Sequence, residues 1–156
     1  MTTQPIDALS IAASQGSTAY PDVFQAPVAG RLKRKLGDHF GLRNFGVNLT
    51  TLAPGSASAL IHHHTLQDEL VYILEGHATL ILGDKTYEMA PGDCCGFPAG
   101  SGEGHQLSNQ SEEPVLYIEI GDRAEGDSAA YPNDDLKAEQ LADGQWKFTH
   151  KNGTDY

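Results

Sequence analysis

Residues 55–76 read GSASALIHHHTLQDELVYILEG, and the fold turns on how this stretch is taken. Three imidazoles, His62, His63 and His64, precede Glu69, which heads the apolar run Leu70 to Leu74. Such a run has the length and make-up of a buried strand. On a strand, side chains two apart share a face. His62 and His64 therefore point together, while His63 turns away. Asp68 falls on the side opposite Glu69 and reads as a surface or capping residue. A further imidazole, His105, lies in residues 92–109, GDCCGFPAGSGEGHQLSN. It is too distant in sequence to join the others locally, and a closed antiparallel barrel would return it to them. Three nitrogens and one carboxylate form a donor set that suits a borderline divalent metal.

The surrounding chain supplies the strands for such a barrel. Candidate strands run over 45–53, 57–64, 69–75, 77–82, 85–90, 93–97, 105–109 and 114–120, divided by Pro54-Gly55, Gly83-Asp84 and Pro91-Gly92. Short strands at regular spacing with Gly/Pro/Asp turns argue for a β-sandwich or barrel. In the last of these strands Leu116, Ile118 and Ile120 are expected to face the core, which turns Tyr117 and Glu119 outward; with the polar face inward instead, Tyr117 would be a pocket candidate. The only helical signal is a short turn over 134–141. Beyond Gly121 the chain is polar and acidic, yet Trp146 to His150 reads as a terminal strand whose lone Trp docks on something. Residues 1–30 lack any period and read as an irregular arm. The basic run Arg31 to Lys35 is expected to be a solvated turn or charge-compensating patch, with a substrate-phosphate clamp as the other reading. His39, His77 and His150 are read as structural or surface residues.

Taken together, the two stretches resemble the motifs of the cupin superfamily. Gly55, His62, His64, Glu69 and Gly76 stand in the places of the first motif, and Gly92, Pro98, Gly100, His105 and Asn109 in those of the second. Two spacings are longer than the usual pattern, by one residue before His62 and by two before His105. The flanks look like those of small single-domain bacterial cupins that carry a sugar phosphate isomerase label by analogy. The resemblance covers about residues 45–121. It implies an all-β fold, a single cupin jelly-roll β-barrel over 31–156, with the 1–30 arm and a C-terminal extension. The implied metal ligands are His62, His64, Glu69 and His105, around one divalent ion (Mn, Fe, Ni, Co or Zn). A homodimer is expected on separate grounds: strand edges must be paired or covered, and the 1–30 arm, wrapped on the barrel or on a partner subunit, is too apolar at Ile6, Leu9, Ile11, Tyr20, Val23 and Phe24 for a solvated tail.

Composition narrows the function. At 156 residues with no internal repeat, a single domain is expected. Ten basic against twenty-one acidic residues give a net charge of −11, which disfavours nucleic acid and anionic membranes. No helical pattern or basic face suits a DNA-binding helix-turn-helix. No apolar stretch approaches the ~20 residues of a membrane span. The N-terminus lacks the basic and apolar regions of a secretory signal, so a cytoplasmic protein is expected. Cys94 and Cys95 are adjacent, a spacing that opposes a disulfide; one thiol should be buried and the other should lie on the opposite face.

Four protein ligands would leave positions open for a bidentate oxygen ligand. The leading expectation is an isomerase or lyase acting on a sugar, sugar phosphate or keto/hydroxy acid. The alternatives are an Fe(II)-dependent dioxygenase and a non-catalytic small-ligand sensor. No residue in the sequence declares itself a general base.

Overall fold

The computed structural model of the chain describes residues 4–16 and 18–156. In chain order the strands are β1 (Ser14–Gln15), β2 (Arg31–Lys35), β3 (Phe45–Leu52), β4 (His63–His64), β5 (Glu69–Glu75), β6 (Ala78–Leu82) and β7 (Lys85–Met89). They continue with β8 (Cys94–Phe97), β9 (His105–Ser108), β10 (Val115–Asp122), β11 (Ser128–Tyr131), β12 (Leu136–Gln140) and β13 (Trp146–Thr149). One layer is an antiparallel sheet in the order β1-β2-β3-β10-β5-β8. The other comprises two smaller antiparallel sheets, β7-β6-β9 and β13-β12-β11-β4. Bridges Ala57↔Ser108 and His62↔His105 join these two edge to edge. The architecture is a cupin-type jelly roll.

Two apolar clusters hold the layers together. At one end, Leu52, Ile73, Ala78, Leu80, Leu107, Val115 and Tyr117 pack between the large sheet and the three-stranded one. At the other, Leu60, Ala129, Tyr131, Leu136 and Ala138 pack with Tyr20 and Val28. Burial of this kind contributes roughly 1.5–3 kcal/mol for a large aliphatic side chain. The space between the clusters is left for the site.

Turn chemistry agrees with the sequence. Gly83 takes φ +56° at the first position of the β6–β7 turn while Asp84 keeps a negative φ, which fits a type II′ hairpin. Gly76 combines φ +79° with a close approach: a Cβ there would lie 2.5 Å from the Pro114 carbonyl oxygen. A side chain would push β5 away from the entry to β10.

Several expectations are corrected. Residues 134–141 form no helical turn. Leu136 and Ala138 alternate with polar neighbours and are buried in β12, paired with β11. The expected strand over 57–64 is pared down to β4. Before it, the Ser58 hydroxyl accepts the Leu107 N–H, and the Gln106 side chain takes the Ala59 carbonyl, so side chains replace ladder partners. The basic run is not a solvated turn; it is β2, hydrogen-bonded between β1 and β3, and its Lys33 and Lys35 face the carboxylates of Glu119 and Asp38, in line with the charge-compensating reading. A short helix, α1 (Leu36–Phe40), follows it and ends at Gly41 with φ +70°. The described part of residues 1–30 contributes β1, and it sends Tyr20 and Val28 into the core. Cys95 packs against the core while Cys94 is exposed, as the strand alternation requires.

The polarity of β10 is also reversed. Gly121 lies opposite Glu69 and Glu119 opposite Val71, so the odd-numbered residues of β10 share the inner face with Glu69. Tyr117 is completely buried. Ile120 instead reaches the outer face with Leu70, Tyr72 and Leu74 of β5, each 37–40% exposed.

Candidate metal centre

His62 and His64 project from the end of the 57–64 segment, Glu69 from the first residue of β5 and His105 from the first residue of β9. The His62↔His105 bridge, with backbone hydrogen bonds of 2.8 and 3.2 Å, brings the second motif against the first. All three imidazoles then converge on one carboxylate oxygen. Glu69 Oε2 stands 2.9 Å from His105 Nε2, 3.6 Å from His62 Nε2 and 3.7 Å from His64 Nε2. Donor atoms of His62, Glu69 and His105 all lie within 4.8 Å of one another, and His64 stands at the edge of this group. His63 does not line the same cavity.

The cluster could hold a divalent metal, and its geometry suits one. Ligands at ~2.0–2.2 Å from a zinc-like ion are themselves roughly 3–3.5 Å apart, close to the spacings around Glu69. Orientation fits as well. His62 Nδ1 lies 2.8 Å from the Leu60 carbonyl, and His64 Nδ1 lies 2.5 Å from Asp127 Oδ2. Each acceptor holds the proton on Nδ1 and leaves the Nε2 lone pair for an ion, the usual arrangement behind metal-binding imidazoles. The third ring, His105, is stacked on Phe97 with centroids 3.7 Å apart.

Asp127 was not legible in the sequence. It sits just before β11 in an acidic, polar stretch with no periodic signal, and it is 1% exposed. It also accepts the N–H groups of Thr65 (3.1 Å) and Leu66 (2.8 Å) and the Thr65 hydroxyl (3.0 Å). One carboxylate thus fixes both the ring of His64 and the turn leading to Glu69. Trp146 docks edge-on against His64, ring centroids 5.8 Å apart.

Charge is tightly coupled here. Burial works against the ionised form of Glu69, but the hydrogen bond with His105 and the nearby His62 and His64 imidazoles outweigh it and hold the carboxyl well below the usual range. Burial also disfavours the charged form of His62, yet the adjacent Glu69 carboxylate and the Leu60 carbonyl prevail and its pKa is raised. For His105 burial prevails and the pKa is lowered.

The cluster forms part of the wall of a cavity of about 540 Å³. Aromatic rings of Tyr20, Phe97, Tyr131, Trp146 and Phe148 line it too, as do Lys33, Asn48, Tyr117 and Glu119 of the large sheet. Asn48 Nδ2 donates to Glu119 Oε1 at 2.9 Å, the Tyr117 hydroxyl donates to Glu119 Oε2 at 3.0 Å, and Lys33 forms an ion pair with Oε1. Alternation in β2 turns Arg31, Lys33 and Lys35 onto this cavity.

Comparison with known proteins agrees with this architecture. The cupin domain family matches residues 48–121. A sugar phosphate isomerase of the cupin superfamily from Silicibacter pomeroyi is 38% identical over 98% of this chain and 96% of its own, with a TM-score of 0.92. A protein provisionally named a sugar phosphate isomerase, from Acidithiobacillus ferrooxidans, is 33% identical over 81% of this chain and 80% of its own, with a TM-score of 0.73. A predicted oxalate decarboxylase from Thermotoga maritima, 17% identical over 76% of this chain and 98% of its own with a TM-score of 0.62, shares the fold. A search of curated protein sequences found no match. The chain belongs to the cupin superfamily.

Replacing Asp127 by Asn should weaken metal binding by about 10–100-fold. An amide N–H directed at His64 Nδ1 would move the ring proton to Nε2, where a ligand lone pair is needed. A metal titration of both proteins, followed calorimetrically, measures this; equal affinities would overturn the role given to Asp127.

The pH dependence follows from the same groups. In the metal-free protein the raised pKa of His62 stabilises the fold below the ordinary imidazole value of about 6.5, and this contribution is lost as pH rises through the higher folded value. Metal requires the neutral ring, so its effect has the opposite sign. The gain in Tm on adding metal should therefore shrink between about pH 7.5 and about pH 5.5. Glu69 stays ionised over that window and adds no slope. A metal-induced gain that is constant across it would contradict the assignment.

Proposed function

We propose that this cupin holds one divalent metal through His62, His64, Glu69 and His105 and catalyses isomerisation or lyase chemistry on a small oxygen-rich metabolite. The observation that carries the reading is the convergence of three Nε2 atoms on Glu69 Oε2 at 2.9–3.7 Å in the cavity wall. A bound ion would supply Lewis-acid polarisation of a ligand oxygen. The protein's own residues do the rest: Leu60 and Asp127 hold two rings in one orientation, and aromatic rings form part of the cavity wall beside them.

The cavity suits an oxygen-rich or anionic ligand. Four cationic residues (Arg31, Lys33, Lys35, Arg123) and four acidic ones (Asp38, Glu69, Glu119, Asp122) line it. The lining is thus neutral within a chain of net charge −11, and a divalent ion would make it positive. Two relatives, 38% and 33% identical, bear sugar phosphate isomerase names, which supports the isomerase side. The test is to incubate sugar phosphates, hydroxy acids and keto acids with the metal-loaded protein, in air and under strict anaerobiosis. Turnover without oxygen in the Mn(II), Co(II) or Ni(II) protein is expected. Product that requires Fe(II) and oxygen together would replace this reading with dioxygenation, and ligand binding without product would make the protein a sensor.

We further propose that the protein is a homodimer. The described part of the arm is engaged with its own barrel, so the supporting surface is the outer face of the large sheet, with exposed Leu70, Tyr72, Leu74 and Ile120. None of the four is charged, so two strongly acidic chains can meet there without bringing like charges together. Light scattering at micromolar concentration should give twice the chain mass; a monomer mass would refute it.

A further inference from the structure

We infer that Lys33 and Glu119 form a second recognition pole in the cavity, and that the group they recognise is a vicinal diol. This deepens the metal-dependent reading and rests on it. The pole is placed by strand register. Lys33 lies opposite Thr50 and Thr50 opposite Tyr117, while Asn48 lies opposite Glu119. Period-two alternation sends these side chains to the inner face, where Lys33, Asn48, Tyr117 and Glu119 line the cavity. Glu119 is opposite Val71, so Glu69 is its diagonal neighbour on the same face. Diagonal positions of this kind are roughly 7–8 Å apart. A single small ligand can therefore touch both the imidazole cluster and Glu119.

The hydrogen-bond inventory gives the chemistry. A carboxylate offers about four lone-pair sites. On Glu119 three are taken: two on Oε1, by Asn48 Nδ2 and Lys33 Nζ, and one on Oε2, by the Tyr117 hydroxyl. One acceptor site on Oε2 has no partner among the described residues. The Lys33 ammonium has three donors, and Glu119 is its one side-chain partner among the described residues. The two side chains are 23% and 21% exposed, enough to meet a ligand in the cavity. The pole thus presents a spare acceptor beside spare donors. Two hydroxyls on adjacent carbons match it: one donates to Glu119 Oε2 and its neighbour accepts from Lys33 Nζ.

Neutralising Lys33 needs only one carboxylate oxygen. Instead Asn48 and Tyr117 add two further donors, which hold the carboxylate in one orientation. Burial raises the Tyr117 pKa well above that of a free phenol, so its hydroxyl stays a donor. A sheltered ion pair is also a costly way to stabilise a fold, since apolar residues of similar volume often serve as well. A fixed pair open to a cavity is better suited to binding. The ligand it implies carries a metal-binding oxygen end and, farther along its chain, a diol: a sugar or sugar acid rather than a two- or three-carbon hydroxy acid.

The test uses the Mn(II)-loaded protein and isothermal calorimetry with probes of equal chain length: each D-pentonate (2,3,4,5-tetrahydroxypentanoate) against 2-hydroxypentanoate. Both share the carboxylate and C2 hydroxyl and differ only in the distal hydroxyls. In the wild type at least one pentonate should bind roughly tenfold or more tightly than 2-hydroxypentanoate, the scale of a hydrogen bond to a charged group. That ratio should fall toward one in Glu119→Gln and in Lys33→Met. If Glu119→Gln does not give a native near-ultraviolet circular dichroism spectrum, Lys33→Met carries the comparison, and the wild-type ratio needs no variant. A wild-type ratio near one, or a ratio unchanged in a folded variant, would overturn the pole. Metal-dependent binding of 2-hydroxypentanoate without diol preference would do so while leaving the metal site standing. Absence of metal-dependent binding by every acid would remove both.

Discussion

A single carboxylate oxygen, Glu69 Oε2, is shared by three imidazoles, and the path of the chain around the site is arranged to make that possible. A carboxylate sheltered from water is costly unless charge or hydrogen bonds answer it. Here the answers come from three separate pieces of chain: the 57–64 segment, β9 and, through His64, the loop before β11. The His62↔His105 bridge locks two of them in register. Asp127 adds the third by holding the His64 ring and two backbone N–H groups of the turn that leads to Glu69. Disturbing any one of these pieces would leave a charged or polar group in the wall without its partner.

The same requirement explains the unusual polarity of the large sheet. In an ordinary sandwich the inner face of every strand is apolar. Along β10 that holds at Val115, but Tyr117 and Glu119 then turn the inner face polar, and Gly121 lies opposite Glu69 with no side chain to crowd it. The apolar residues of the strand are displaced to the outer face. The fold can carry this because the two apolar clusters lie at either end of the cavity and stabilise the layers without filling its middle.

Much of this was legible in the sequence where local rules govern. The HxH spacing, Glu69 at the head of an apolar run and the Gly83-Asp84 turn each encode their geometry within a few residues. What resisted reading depends on partners distant in the chain. For β10, alternation showed two faces but not which was inner, because an apolar set usually marks the core; only the register with Glu69 decides. Arg31, Lys33 and Lys35 read as a solvated turn or charge-compensating patch because cations usually face solvent, whereas β3 on one side and β1 on the other make them part of a sheet. Asp127 had no periodic neighbour to announce it. The turn expected over 134–141 gave way to β12, where burial of Leu136 and Ala138 outweighs local preference.

Charge placement joins the site to the molecule as a whole. A chain of net charge −11 surrounds itself with a negative potential that attracts cations and repels anions. Four of its ten basic residues nonetheless line one cavity. At the rim, Asp38 pairs with Arg123 and lies 4.0 Å from Lys35; deeper in, Glu119 pairs with Lys33. The pairing limits mutual repulsion among the cations in the cavity walls and keeps the lining neutral. The acidic exterior would then favour capture of a metal cation, and that cation would in turn make the interior hospitable to an anionic or polyhydroxylated ligand.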